Sequence, residues 1–464
     1  MTAAITDPYK KISLELLKSD VSEGNNRYYM GIGRAEAWNA NDNAPAELDS
    51  DISNLRFTTE ARTALQSLKV VEKVGFVVPR VNWAEGTIYS AYSDAVSGNE
   101  QNNPYYVMNS NLRVYLVLEQ PKDTEGNPVP STVKPAGVTR DFKTADGYVW
   151  RYLYQIGPED ANAFLTTNFI PVQKVDDVAN PPVTAVEVEQ DLLQNQAVGG
   201  EIANIQLLKN GSGYENPITV TINGDGTGAQ AFAYAEGGFI RYIRMDSDGL
   251  GTVLRGSGYT QGSVSIVGGN GSGAEAKLVY TSQEGIGADP TIDLRSSALM
   301  FHTEFHDNEH DTILATNDFR QISLLRNINE FGTSSSFTGN TGNALKRLQL
   351  DEVVNNFLQD KEIKGASSGA KAYVAHYDLA TKQIWYYQTS STLFADFQAG
   401  ETIEAVNTQG AVDAASGQGT LLASSFIVNP DIDIYSGDVL YTDNRAAVTR
   451  TDTQIEDIKI VIQL

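Results

Sequence analysis

Asp146-Gly147-Tyr148-Val149-Trp150-Arg151-Tyr152-Leu153-Tyr154-Gln155-Ile156 is the stretch from which the fold class can be read. An Asp-Gly turn launches a run in which Tyr148, Trp150, Tyr152, Tyr154 and Ile156 share one parity. Alternate side chains of a strand point to opposite faces, so these five build one large aromatic and aliphatic face. The other face, with Val149, Arg151, Leu153 and Gln155, is mixed. A strand of this kind needs a covering layer, and it reads as the central strand of a β-rich core.

Working outward, alternation and turn chemistry mark the neighbouring elements. Asp7-Pro8 ahead of Tyr9, Ile12, Leu16 and Leu17 has helical spacing, with Asp7 as N-cap and proline in the first turn. Residues 27–34 read as a strand, followed by Trp38 and a polar loop over 39–43. Ala64, Leu65, Leu68 and Val71 predict an amphipathic helix over 61–73. Residues 76–83 read as a strand that Pro79 confines to an edge or a strand end. Further strands are expected at 104–108, 112–120, 318–327, 437–441 and 455–464, and a short helix at 158–165.

The middle of the chain changes character. Asn210-Gly211-Ser212-Gly213-Tyr214 recurs 45 residues later as Arg255-Gly256-Ser257-Gly258-Tyr259. Gly226-Thr227-Gly228-Ala229 recurs at the same offset as Gly271-Ser272-Gly273-Ala274. Two landmarks that keep one offset indicate a duplicated unit, and each copy reads as a β-hairpin module with glycine turns. A related pattern, Lys364-Gly365-Ala366-Ser367-Ser368-Gly369-Ala370, opens a third β-rich stretch that runs to about residue 422.

Composition narrows the function classes. With 464 residues and 41% hydrophobic content, the chain can bury more than one core. Asp plus Glu number 58 against 34 Lys plus Arg, a formal charge of −24. That surface repels phosphate backbones and anionic membranes, so neither nucleic acid nor membrane is an expected partner. The absence of cysteine excludes disulfides and thiolate metal sites. No apolar stretch in the first ten residues suggests a secretory signal, and no apolar run approaches the length of a membrane helix.

Few motifs carry chemistry. His302, His306 and His310 are spaced by four, with Glu304, Asp307 and Glu309 between them. On a helix they would share a face able to hold a divalent metal, but Asp307-Asn308-Glu309 is poor helix sequence and a polar loop is the plainer reading. Gly365-Ala366-Ser367-Ser368-Gly369 matches a nucleophile-elbow pattern, yet the strand-like run after it and the early His376 point to a hairpin turn. Asp246-Ser247-Asp248-Gly249 opens like a calcium loop but has Ser257 at the twelfth position, where a glutamate is needed. We therefore expect no enzyme activity, no cofactor and no metal.

Several segments resemble the baseplate wedge protein family of T-even-type contractile-tailed bacteriophages, in particular its homodimeric subunit. They are Ile32-Gly33-Arg34-Ala35-Glu36-Ala37-Trp38 with the loop after it, Val78-Pro79-Arg80-Val81-Asn82-Trp83, the central strand, Phe319-Arg320-Gln321-Ile322-Ser323, and 437–448 with Asp443-Asn444-Arg445, together with 454–464. They occur in the family's order and span about residues 10–180, 290–330 and 430–464. Ala446-Ala447 departs from the family, which tends to carry prolines there. The resemblance, which does not cover the Gly-rich stretches, implies a β-sandwich core with short helical insertions; with the inserted Gly-rich β modules read above, the expected fold is mainly β. The resemblance also implies a homodimer in the virion tail baseplate that joins neighbouring wedge proteins, assembled in the bacterial host cytoplasm.

On that reading, residues 1–199, 283–335 and 426–464 form the wedge core. The segments 200–282 and 336–425 are insertions. Arg80, Trp83 and Arg445 are the candidate interface or loop-anchoring residues, with core packing an equal alternative for Trp83. A tail-associated glycan-binding protein is the alternative function, suggested by the Gly- and Tyr-rich insertions.

Overall fold

The central strand forms as Val149–Gln155, between Arg113–Glu119 and Asp141–Lys143, with Tyr106–Met108 completing a four-stranded antiparallel sheet. Its register is interrupted: Val114 faces Tyr154 and Tyr115 faces Tyr152, so Leu153 is an extra residue. Such a bulge flips the side chains beyond it. Tyr148, Trp150 and Tyr152 therefore pack together with Tyr89, Val107, Tyr115 and Val117, as the parity predicts. Tyr154 lies on the opposite face and donates its hydroxyl to the Pro171 carbonyl at 2.7 Å. The five-residue aromatic face is thus split in two, and the mixed face is buried as well, Arg151 included.

The structure, a computed structural model, describes every residue except 1–5, 23, 25, 40, 47–54, 95–103, 177–179, 249–251, 307–308, 310–311, 315–316, 390 and 452. It is mainly β, with several sheets and few helices. Two units divide the chain: residues 1–15, 75–300 and 461–464 form one, and 16–74 with 301–460 form the other. The first helix, Asp7–Ser22, is present; the side chain of Asp7, the expected N-cap, lies outside the described residues.

One expectation fails at residues 61–73. A helix spans Leu55–Ala64, but Leu65–Val70 is a strand, buried between Tyr28–Gly33 and Thr341–Asn343. Spacing by three suits a helix face and a two-sided buried strand alike, and here the backbone partners on both sides decide for the strand. A helix at Ala185–Gln194 escaped the reading although Thr184 and Glu187 form a capping box.

In the first unit, the first glycine-rich copy contains a hairpin, Ala231–Glu236 with Phe239–Met245, but the two copies also interlock. Strands Ile218–Gly224 and Gly262–Val267 pair with each other, with Val220 opposite Ile266 and Thr221 opposite Ser265. Moving the numbers by the repeat offset maps this pairing onto itself, which is the mark of a local pseudo-two-fold. The outer pairs obey the same relation: Asn210 faces Ala274, and Arg255 faces Ala229. Each copy thus lends its Gly-Ser-Gly strand to the other. Glycine is required at the exchange point, because a Cβ on Gly271 would strike the Tyr214 ring and one on Gly226 the Tyr259 ring.

Arg255 also ties this module to the central strand. Its guanidinium meets Asp141 at 3.3 Å and Glu119 at 3.4 Å, while Arg151 meets Asp141 at 3.0 Å and Glu201 at 3.3 Å. Arg140 pairs with Glu201. Burial pushes the Asp141 carboxyl up, but Arg151 and Arg255 outweigh it and hold it below the usual range. Burial raises Glu119, which Arg255 only partly offsets.

In the second unit, strands Lys346–Asn355, Glu362–Gly365, Lys371–Asp378, Gln383–Tyr387, Thr402–Val406 and Gln418–Leu421 close on themselves as an antiparallel barrel. Leu348, Ile363, Val374, Ile384, Ile403 and Leu421 fill it. Closure removes exposed edges, so the barrel needs no further strand to cover it.

Two outcomes follow from these cores. Arg255→Met leaves Glu119 and Asp141 short of a buried countercharge and is expected to cost about 3–5 kcal/mol in urea unfolding. Adding Glu119→Gln should recover part of that loss. Asp293, in the turn Pro290–Asp293, is 1% exposed, and its carboxylate accepts the Gly287 N–H at 2.6 Å. Burial pushes its carboxyl up from 3.8 to about 7, so its stabilising contribution is complete below the lower value and is lost as pH rises through the upper. The stability gap of Asp293→Asn over the unsubstituted chain should therefore widen across that window, by roughly 2–4 kcal/mol.

Candidate functional site

Three of the segments that carry the resemblance, 32–38, 319–323 and 437–448, meet within the second unit in one sheet. Its order is Thr341–Asn343, Leu65–Val70, Tyr28–Gly33, Asp318–Arg326 and Asp438–Thr449, the last at an edge. Tyr28–Gly33 and Asp318–Arg326 are buried along most of their lengths, and the edge strand is largely exposed. At one end of these strands the loop after Gly33 folds back as a polar junction.

Arg320 organises that junction. Its Nε donates to both Asp42 carboxylate oxygens at 2.8 and 2.9 Å, its Nη2 meets Asp318 at 3.0 Å, and its Nη1 donates to the Ala35 carbonyl. Asp42 in turn accepts the Trp38 backbone N–H at 3.0 Å. The Arg34 guanidinium lies 3.9 Å from the centre of the Trp38 ring, a cation–π contact. Trp38 Nε1 donates to the Arg445 carbonyl at 2.9 Å, and Gln321 Nε2 to Asn444 Oδ1 at 2.8 Å. The Arg320 hydrogen bond and then the Trp38 N–H hold the Asp42 carboxyl below its ordinary value.

Here the edge strand departs from regular pairing. Gln321 faces Asn444 and Phe319 faces Val448, so Arg445-Ala446-Ala447 bulge outward opposite Arg320 alone. All three are exposed, and the Arg445 side chain pairs with Asp443 at 2.6 Å. The other two candidates lie in the first unit. Arg80 donates to the Thr166 carbonyl at 2.8 Å and to Asn82 at 3.0 Å, which makes it a loop tie. Half-buried Trp83 packs on the aromatic cluster of the central strand and donates to Ser131 Oγ at 3.1 Å.

The histidines take a different arrangement from a helix face. His302 is on the strand Ala298–Phe305, so His302, Glu304 and His306 follow strand rather than helix spacing, and His310 lies outside the described residues. His302 Nε2 is 3.1 Å from Asp457, and His302 and His306 lie 3.7 and 3.6 Å from Glu304. Burial pushes His302 down in pKa despite Asp457. Among the described residues, no group of three or more His, Asp and Glu is arranged to hold a metal ion.

The serine pattern is a turn device. Ser367 and Ser368 join Glu362–Gly365 to Lys371–Asp378 as a hairpin, and Glu401 accepts both backbone N–H groups at 3.0 and 2.8 Å and the Ser368 hydroxyl at 2.8 Å. His376 packs edge-on against Trp385. In the Asp246 segment, Asp248 accepts the Thr252 N–H at 2.8 Å, while Gly249 lies outside the described residues.

The first unit also has a 660 Å³ cavity walled by Tyr92, Tyr105, Tyr106, Lys11 and Arg295. The buried charge cluster and the Arg320 junction were not singled out from sequence. Two signals pointed to the cluster: Arg151 interrupts an apolar strand, and Arg255 stands where the other copy has Asn210.

Replacing Arg320 by Met should free the loop, seen as faster hydrogen exchange at the Trp38 amide, with the strand Tyr28–Gly33 unaffected. Because Asp42 is held low, its anchoring is present above the ordinary carboxylate value of 3.8 and is lost as pH falls, so acid should loosen the same amide in the unsubstituted chain. No protein-family model matches the chain, and no curated protein matches it.

Proposed function

We propose that this chain is a structural subunit of a contractile phage tail baseplate wedge, which dimerises and connects neighbouring wedge proteins. The observation that carries the reading is the meeting of three resembling segments, far apart in sequence, as adjacent strands tied by Arg320, Gln321 and Trp38. That residues matched in order along the chain also pack at one place supports the reading. The exposed bulge at 445–447 gives the edge strand a distinct projecting surface, and irregular edges of this kind block open-ended strand addition.

The role asks for shape and rigidity. A subunit that transmits force between neighbours gains from a charge-locked core, and buried aromatic pairs such as Tyr148 on Trp150, 5.4 Å apart, stiffen it further. Its neighbours would be other wedge proteins and a second copy of itself, in the baseplate of the virion.

Antibody labelling of purified contractile-tailed virions under the electron microscope tests the proposal. Label confined to the tail tip is expected. Label on fibres or capsid, or virions without label, would overturn it.

A further inference from the structure

A second cleft of the first unit reverses the sign of this acidic chain. Its volume is about 270 Å³, and it lies where the end of the strand Arg113–Glu119 meets the glycine-rich module. Lys122 and Arg244 both line it, with Tyr242, Gln206 and Ser90 among the other walls. Among the described residues, neither cation forms an ion pair or donates a side-chain hydrogen bond, and the Arg244 Nε is buried without an acceptor. The Arg244 guanidinium is steadied by the Tyr242 ring, 5.0 Å away.

Two half-buried cations that no carboxylate meets at ion-pair or hydrogen-bond distance among the described residues are unexpected in a chain of charge −24, where carboxylates outnumber cations heavily. A buried donor left unsatisfied is costly, and so is a desolvated charge without a counterion. Burial already pushes the Lys122 ammonium down in pKa. One carboxylate, Glu119, is also in the wall; it is engaged by Arg255 at 3.4 Å, the Arg244 charge acts on it from beyond ion-pair distance, and burial raises it. The amide N–H groups of Gln120 and Asn204 are spent on the Tyr89 and Tyr92 carbonyls, both at 2.7 Å. The donors left facing the cleft are therefore cationic, supplemented by neutral amide and hydroxyl groups.

We propose that this cleft binds a small oxyanion-bearing ligand, a carboxylate or phosphate compound held between Lys122 and Arg244. The arginine fork suits the two oxygens of such a group, and the lysine supplies a point charge. The volume falls below the usual range for drug-sized ligands, about 300–1,000 Å³, which limits the occupant to a compact molecule. The inference does not depend on the wedge reading.

Isothermal titration of the full chain with inorganic phosphate and with D-glucuronate tests it, using methyl glucoside as the uncharged control. Saturable binding of either anion, absent for the control, is expected at millimolar concentrations. Lys122→Met or Arg244→Gln should weaken it roughly tenfold or more, with thermal unfolding confirming that both variants fold. Preference for one anion identifies whether phosphate or carboxylate is the natural group. No saturable binding of either anion, or binding that both variants keep unchanged, would overturn the proposal.

Discussion

The buried arrangement of Arg140, Arg151 and Arg255 with Glu119, Asp141 and Glu201 is the constraint on which the first unit depends. Arg151, Arg255, Glu119 and Glu201 are buried and Arg140 and Asp141 partly so, and each charge relies on its opposite neighbours. Losing any one leaves a desolvated charge behind, a penalty much larger than a surface pair ever contributes. Because Arg255 belongs to the glycine-rich module and Arg151 to the central strand, the module is part of that unit's core and not an ornament on it. The guanidinium groups also satisfy backbone carbonyls of Ile202, Ala203 and Ile286, which fixes the module's first strand against the sheet.

The two regions that the resemblance leaves uncovered solve the same problem by different means. A sheet edge exposes backbone donors and acceptors that invite unwanted pairing. In the glycine-rich module the duplicated copies supply each other's edge partners about a local two-fold, and the glycines make room for Tyr214 and Tyr259 at the crossing. In the region after residue 345 the strands close into a barrel. In each region the strands find their backbone partners within the region itself.

The Arg320 junction has a different character. It is polar, partly exposed and built from loops, yet every loop is anchored to a buried strand through a named side chain. That arrangement keeps a projecting surface in a defined shape. It is the kind of site where a contact with another protein can be specified by shape.

Much of this was legible in sequence, and the parts that were not share one cause. Alternation in 148–152, the glycine turns and the 45-residue offset are local patterns, set by neighbours along the chain, and they determined the β-rich class and the duplication. Local pattern could not say that Leu153 would bulge and send Tyr154 to the other face, since that depends on the partner strand Arg113–Glu119. Nor could it separate helix from strand at Leu65–Val70, where spacing by three fits both and two flanking strands decide. Sequence by itself determined what each segment can be. Tertiary structure alone decided which repeat copy pairs with which, where Arg255 and Arg320 find their carboxylates, and why Lys122 and Arg244 meet none at ion-pair distance among the described residues, because burial and pairing are set by residues distant in the chain.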